Sequence, residues 1–230
     1  MTTIPDNLQQ VRSRIAAACA SAQRRADEVT LLAVSKTFGP EAVAQAHAAG
    51  QRAFGENYIQ EAVDKRAALA HLPLEWHCIG PIQSNKTRLV AQHFDWAHTV
   101  DRLKIAQRLS EQRPPALPPL QVCIQVNIDG GPTKAGIAPQ EALALAQEVA
   151  RLPRLSLRGL MTLPEPAPDF ESARQVHLRA AALFRQLRQA GLALDTLSMG
   201  MTADLEAAVA AGSTLVRVGT AIFGGRARKV

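Results

Sequence analysis

Short apolar runs rich in β-branched residues alternate with longer stretches of helical period along almost the whole chain. The runs fall at residues 30–35, 53–55, 76–79, 96–100, 120–127, 155–162, 196–199 and 214–218. Between them, residues 40–49, 58–72, 85–94, 102–111, 139–152, 170–190 and 203–211 carry apolar side chains at i, i+3, i+4 spacing, the stripe a helix buries on one face. Gly50, Pro153, Gly191 and Gly212 stand just past the last periodic residues, where C-terminal glycines and following prolines end helices. A further amphipathic stretch, about 8–26, precedes the first run. Strand and helix alternating in this way is the pattern of parallel βαβ units. Eight such units predict an α/β protein, a (β/α)8 TIM barrel with an extra N-terminal helix. The length leaves no room for a second domain, so residues 1–230 are expected to form one barrel domain.

Composition narrows the setting. Nowhere do about 18 apolar residues run together, and the first residues are polar without a basic or apolar targeting pattern. A cytoplasmic protein with no membrane association is expected. Cys19, Cys78 and Cys123 are odd in number, far apart and without metal-like spacing, so they read as small buried residues and neither a disulfide framework nor a zinc site is indicated. The net charge of +6 suits a phosphorylated partner. Half of that excess sits in Arg226, Arg228 and Lys229, a basic tail, and aromatic residues are only 4% of the chain, too few to stack single strands. No nucleic-acid partner is expected.

In parallel barrels the chemistry gathers where the strands end. The first predicted strand ends Ala33-Val34-Ser35-Lys36; the second exits as Gly55-Glu56-Asn57-Tyr58, the third as His77-Cys78-Ile79-Gly80 and the fifth at Asn127. The sixth ends Gly159-Leu160-Met161-Thr162, the seventh Ser198-Met199-Gly200-Met201 and the eighth Arg217-Val218-Gly219-Thr220. The loops after strands seven and eight commonly hold a phosphate in this fold. Here Ser198 and Thr220 offer hydroxyls, while Gly200 and Gly219 admit close approach of backbone N–H groups. A lysine facing that cradle, with Arg217 between them, matches a phosphorylated aldehyde. Near neutrality an exposed lysine is under about one part in a thousand free amine, so a Schiff-base lysine needs burial or a cationic neighbour. Lys86 and Lys134 are the rival lysines, one opening a helix and the other in a loop. His77, His93 and His98 lack metal-ligand spacing and read as structural or surface residues.

These segments resemble, in order, those of the pyridoxal phosphate homeostasis protein family, related in fold to the barrel domain of alanine racemase. The resemblance rests on Ala33-Val34-Ser35-Lys36, Phe54-Gly55-Glu56-Asn57-Tyr58, His77-Cys78-Ile79-Gly80 with Gln83-Ser84-Asn85-Lys86, Gly159-Leu160-Met161, Ser198-Met199-Gly200-Met201 and Arg217-Val218-Gly219-Thr220. It departs at Gly131-Pro132, where relatives often carry acidic residues in the 129–134 loop, and at Thr202, where serine is usual. The resemblance implies pyridoxal 5′-phosphate (PLP) held as a Schiff base on Lys36. It implies Ser198, Gly219 and Thr220 at the phosphate, Arg217 facing the pyridine nitrogen, and Asn57, His77, Met199 and Met201 lining the pocket. It further implies a protein that keeps the intracellular PLP pool in order; a monomer is expected. Expected partners are PLP itself, amino acids, and transiently the enzymes that make or use PLP. Racemisation needs a second acid/base opposite the lysine; the single tyrosine, Tyr58, belongs to the strand-two loop, and an arginine at the ring nitrogen blunts the electron sink. No catalytic residue is therefore assigned, and a cofactor binder is expected over a turnover enzyme. The alternatives are a small PLP-dependent amino-acid racemase or lyase, and a cofactor-free Schiff-base aldolase.

Overall fold

The computed structural model describes residues 3–131 and 134–225; Pro132, Thr133 and the basic tail with Arg226, Arg228 and Lys229 lie outside them. Eight parallel strands form a closed barrel in chain order: β1 (Thr30–Val34), β2 (Ala53–Glu56), β3 (Glu75–Cys78), β4 (Trp96–Val100), β5 (Leu120–Val126), β6 (Leu155–Thr162), β7 (Thr196–Ser198) and β8 (Leu215–Val218). The closing pair sets Thr30 against Leu215 and Ala33 against Val218. Every strand end falls within one residue of the run that predicts it.

The helices are α1 (Ile4–Ser21), α2 (Pro40–Ala48), α3 (Ile59–Ala68), α4 (Thr87–His93), α5 (Leu103–Gln112), α6 (Ala142–Ala150), α7 (Phe170–Gln189), α8 (Leu205–Ala210) and α9 (Thr220–Phe223). α1 begins before the expected residue 8 because Thr3 and Asp6 form a reciprocal capping box with Pro5 in the first turn, which satisfies N–H groups that a helix start leaves orphaned. α4 starts at Thr87, so Asn85 and Lys86 belong to the turn before it. The expected 139–152 helix opens with a 3-10 turn, Pro139–Glu141, and α9 is a four-residue turn of helix that periodicity does not reveal.

Strand alternation divides the core into two shells. Phe54, Trp76, Ala97 and Val218 face the helices, where they pack with residues such as Leu8, Val43 and Ile105. Leu32, Ala53 and Leu215 meet one another separately, as do Trp96, Cys123 and Met161; these fill the barrel interior. The three cysteines are free and buried, and burial pushes the Cys78 and Cys123 thiols up to about 12, so both are inert. Among the described residues no group of three or more His, Cys, Asp or Glu is placed to hold a metal, and no helix is long and apolar enough to cross a membrane.

Candidate functional site

Lys36 lies half-buried in the turn directly after β1, and both its neighbours are pinned. The Ser35 hydroxyl donates to Glu56 Oε1 at 2.6 Å, and the Ser35 carbonyl accepts from Lys65 Nζ at 2.8 Å. On the other side, the Thr37 N–H donates to Glu61 Oε1 at 2.6 Å. Lys65, on α3, also bonds Glu56 at 2.7 Å and Glu61 at 2.6 Å, which ties the three anchors into one cluster. Burial pushes the Glu56 carboxyl up against the pull of Lys65 and Ser35. Thr37 has φ 71°, a left-handed conformation unfavourable for a β-branched residue; such a backbone persists only where its surroundings hold it.

At the exit of β2, Asn57 Oδ1 is buried without a hydrogen-bond partner, although buried polar atoms are ordinarily paired. The loop after β3 is pressed onto the loop after β2: a Cβ at Gly80 would lie 2.1 Å from the Asn57 carbonyl oxygen. The Gly80 carbonyl in turn accepts from Thr99 Oγ1 at 2.6 Å. Only glycine allows this approach.

The loops after β7 and β8 complete the rim. Gly219 packs against the end of β1, where a Cβ would stand 3.1 Å from the Val34 carbonyl oxygen, and Thr220 opens α9 beside it, exposed. The β7 loop turns at Gly200 with φ 94°. Asp204 holds it by accepting from the Met201 N–H at 2.7 Å while pairing with His177 Nε2 at 2.8 Å. Burial alone would raise the Asp204 carboxyl, but the bonds from His177 and Met201 carry it below its ordinary value. Arg14, from α1, donates to the Thr202 carbonyl at 3.0 Å, so the loop is anchored from outside as well.

Beneath the rim, Arg217 is buried with Nη1 on Ser198 Oγ and Nη2 on the Thr162 carbonyl, both at 2.8 Å. Burial lowers the guanidinium to about 10, so it stays cationic at neutral pH.

Lys36, Asn57, Arg217, Gly219 and Thr220 therefore converge at the C-terminal mouth, and Met201 is exposed on its edge. Three expected positions differ. The Ser198 hydroxyl is committed inside the barrel to Arg217 and His98, which leaves Thr202 as the half-buried hydroxyl residue in that loop. Met199 points the opposite way from Ser198 and is fully buried with Leu197, Ala208 and Ala211 on the helix side, because successive strand residues alternate faces. His77 lies deeper in the barrel, its rings and hydrogen bonds shared with Trp96, His98 and Glu75. Sequence reading missed Glu56, Glu61, Lys65 and Thr162; Glu61 and Lys65 carry the i, i+4 charge spacing of an ordinary exposed helix face, and only the register with β1 turns it inward. Of the rival lysines, Lys134 pairs with Glu165 at 3.0 Å and Lys86 stands in the turn just ahead of α4.

Comparison with known proteins gives a consistent picture. The family described as "Alanine racemase, N-terminal domain" matches residues 7–227. The Pyridoxal phosphate homeostasis protein of Pseudomonas aeruginosa is 59% identical over 226 residues, covering 98% of this chain and 97% of that one. Its namesake in Escherichia coli is 55% identical over 229 residues, with 98% of each chain covered. Among solved structures, PipY of Synechococcus elongatus with PLP bound superposes with a TM-score of 0.84 at 36% identity, over 96% of this chain and 100% of that one. An alanine racemase from Clostridium difficile, at 16% identity and a TM-score of 0.74 over 97% of this chain and 58% of its own, shares the fold. The ordered strand-end motifs, the closed barrel and these matches establish that the chain belongs to the pyridoxal phosphate homeostasis protein family.

Proposed function

We propose that this protein binds PLP as a Schiff base on Lys36 and serves to keep the intracellular supply of that cofactor in order, rather than turning over an amino acid. The observation that carries the reading is the double pinning of Ser35 and Thr37, which presents the intervening lysine at a mouth where the buried Asn57 Oδ1 has no hydrogen-bond partner. The names of the relatives in Pseudomonas aeruginosa and Escherichia coli and the PLP bound in PipY support it. When bound, PLP supplies an aldehyde that condenses with a neutral lysine amine and releases water. Lys36 provides that amine. The main chain at Gly219 and Thr220 and the hydroxyls of Thr220 and Thr202 hold the phosphate, with the β7 loop fixed for the purpose by Asp204 and Arg14. Arg217 faces the ring nitrogen and, as a buried cation, disfavours its protonation, which weakens the electron sink that racemases need. Asn57 lines the mouth. Tyr58, the single tyrosine, is 53% exposed ahead of α3 and supplies no second acid/base. Amino acids are then secondary ligands, and contacts with PLP-producing or PLP-using enzymes are transient, in the cytoplasm.

Borohydride reduction of the protein loaded with PLP, followed by peptide mass mapping, tests the assignment. The label is expected on Lys36; label on Lys86 or Lys134 instead would overturn it. Incubation with L-alanine, L-serine and L-threonine in deuterated water tests the absence of turnover. Sustained production of an enantiomer or cleavage product, lost in Lys36→Ala, would make the protein an enzyme.

A further inference from the structure

Below the mouth, interior side chains stand in single file down the barrel. Arg217 Nη1 donates to Ser198 Oγ at 2.8 Å; Ser198 Oγ lies 3.0 Å from His98 Nδ1. His98 Nε2 lies 2.9 Å from His77 Nδ1, and His77 Nε2 lies 2.7 Å from Glu75 Oε1. The first four residues are buried, whereas the Glu75 side chain is 48% exposed at the opposite, N-terminal face. There it borders a cleft of about 570 Å³ shared with Trp96, Gln121 and Arg158.

The carboxylate end fixes the order of protons along the file. A guanidinium can only donate and a carboxylate can only accept. Arg217 occupies one of the two Ser198 lone pairs, and the order is set from the Glu75 end: with both rings neutral, the carboxylate takes the His77 Nε2 proton, which leaves His77 Nδ1 as an acceptor. His98 then carries its proton on Nε2 and gives it to His77 Nδ1, so His98 Nδ1 accepts and the Ser198 proton goes to it. Every donor meets one acceptor, and each imidazole has one allowed tautomer. The charges agree with this order: burial, with Arg217 and His77 nearby, holds His98 neutral well below 6.5, and the bond from His77 keeps the Glu75 carboxyl below its usual range. From below, Trp96 stacks on His77 at 5.2 Å and 7°. Arg158 lies 4.9 Å over Trp96 and is itself bound to Asp195 and Gln121.

We propose that Glu75, His77, His98 and Ser198 form a positioning chain that fixes Arg217 from the far face of the barrel, so that the guanidinium meets the cofactor's ring nitrogen in one orientation. The inference rests on the PLP reading above and deepens it. None of the four touches the cofactor; they act through Arg217.

Two measurements test it. In the protein without cofactor, long-range 15N–1H spectra of the histidine rings are expected to show both His77 and His98 neutral with the proton on Nε2. Glu75→Gln, which keeps an acceptor oxygen, preserves that pattern, whereas Glu75→Leu releases the His77 tautomer. A proton on Nδ1 of either ring in the unaltered protein would overturn the chain. In the second measurement, binding of PLP is compared with binding of its 1-deaza analogue, which carries C–H in place of the ring nitrogen. Glu75→Leu and His98→Leu are expected to weaken PLP by about tenfold or more, the worth of roughly one hydrogen bond, and to leave the deaza analogue unchanged, while Glu75→Gln behaves as the unaltered protein. Equal losses for the two ligands, or no loss in Glu75→Leu, would reduce the chain to ordinary packing. Failure of the unaltered protein to bind PLP would overturn the PLP reading instead, and the ring tautomers would then decide the chain alone.

Discussion

Replacing Lys65 with methionine is the sharpest test of how the Lys36 turn is held. The substitution keeps most of the volume of a side chain that is 5% exposed while deleting the ammonium that binds the Ser35 carbonyl, Glu56 and Glu61. Removing one member of a buried ion pair costs about 3–5 kcal/mol, because the partner charge is left stranded. Glu56, with its side chain at 0% exposure, has an escape: burial already raises its carboxyl, and without Lys65 it takes up a proton. The loss is therefore bounded by the cost of that protonation, about 1.4 kcal/mol per pH unit between the carboxyl's ordinary unfolded value and the working pH. A total loss of about 3 kcal/mol near pH 7 is expected. The sign of its pH dependence follows. In Lys65→Met the folded state binds a proton that the unfolded state, with an ordinary glutamate, does not, so the variant gains stability as pH falls from 7 toward 5. Urea unfolding followed by circular dichroism at the two pH values measures this. The double variant Glu56→Gln/Lys65→Met leaves no stranded charge and should recover about half of the loss or more. A single variant within about 1 kcal/mol of the unaltered protein, or a double variant no better than the single, would refute the claim that this cluster holds the turn.

Other expectations address the remaining parts. Gly80→Ala would drive a Cβ into the Asn57 backbone; the two loops must part, with a stability loss of about 2 kcal/mol or more and weaker PLP binding, read by thermal unfolding and by titration. Pyridoxal without its phosphate should bind orders of magnitude more weakly than PLP, since several charge-assisted bonds of roughly 1.5–3 kcal/mol each are lost; equal affinities would contradict the cradle of the β7 and β8 loops. His98 is held neutral below the ordinary histidine value, so the unfolded chain binds its proton first. The stability this represents is intact above about pH 6.5 and declines as pH falls below it, by about 1.4 kcal/mol per unit for one histidine. His98→Leu should flatten that slope by one proton, as measured by chemical unfolding between pH 5 and 7.

The barrel was legible because its strands are short, apolar and regularly spaced, and the mouth was legible because polar and glycine residues recur where those strands stop. Ser198 and Met199 mark the limit of such reading. Both end the same strand, but alternation sends one inward to Arg217 and the other out to α8, and motif order cannot tell which residue takes which face. His98 shows a second limit. In sequence it is a lone histidine on an apolar strand; it acquires meaning only because β3 and β4 pair His77 with Trp96 and so set His98 diagonally beside His77. Lys65 shows a third, since a lysine on a helix is ordinarily solvated, and nothing local announces that its tip reaches back to the end of β1.

The placement of α1 has a consequence for how the molecule comes into being. Asn7 bonds the Ile222 carbonyl at 2.9 Å, Arg14 pairs with Glu206 at 2.9 Å, and the helix lies across α8 and α9. Helix α1 thus docks on segments synthesised long after it, 192 and 215 residues on at these two contacts, and β1 likewise waits for β8. Contacts so distant in sequence carry the full entropy of closing the chain before they return any stabilisation. A growing chain on the ribosome can lay down the middle strands and their helices, but it has neither a sealed barrel nor the loop beside Val34 until β8 and Gly219 have emerged. The cofactor pocket is accordingly a product of the final closure, and a ligand that prefers the closed form would draw late folding forward by mass action.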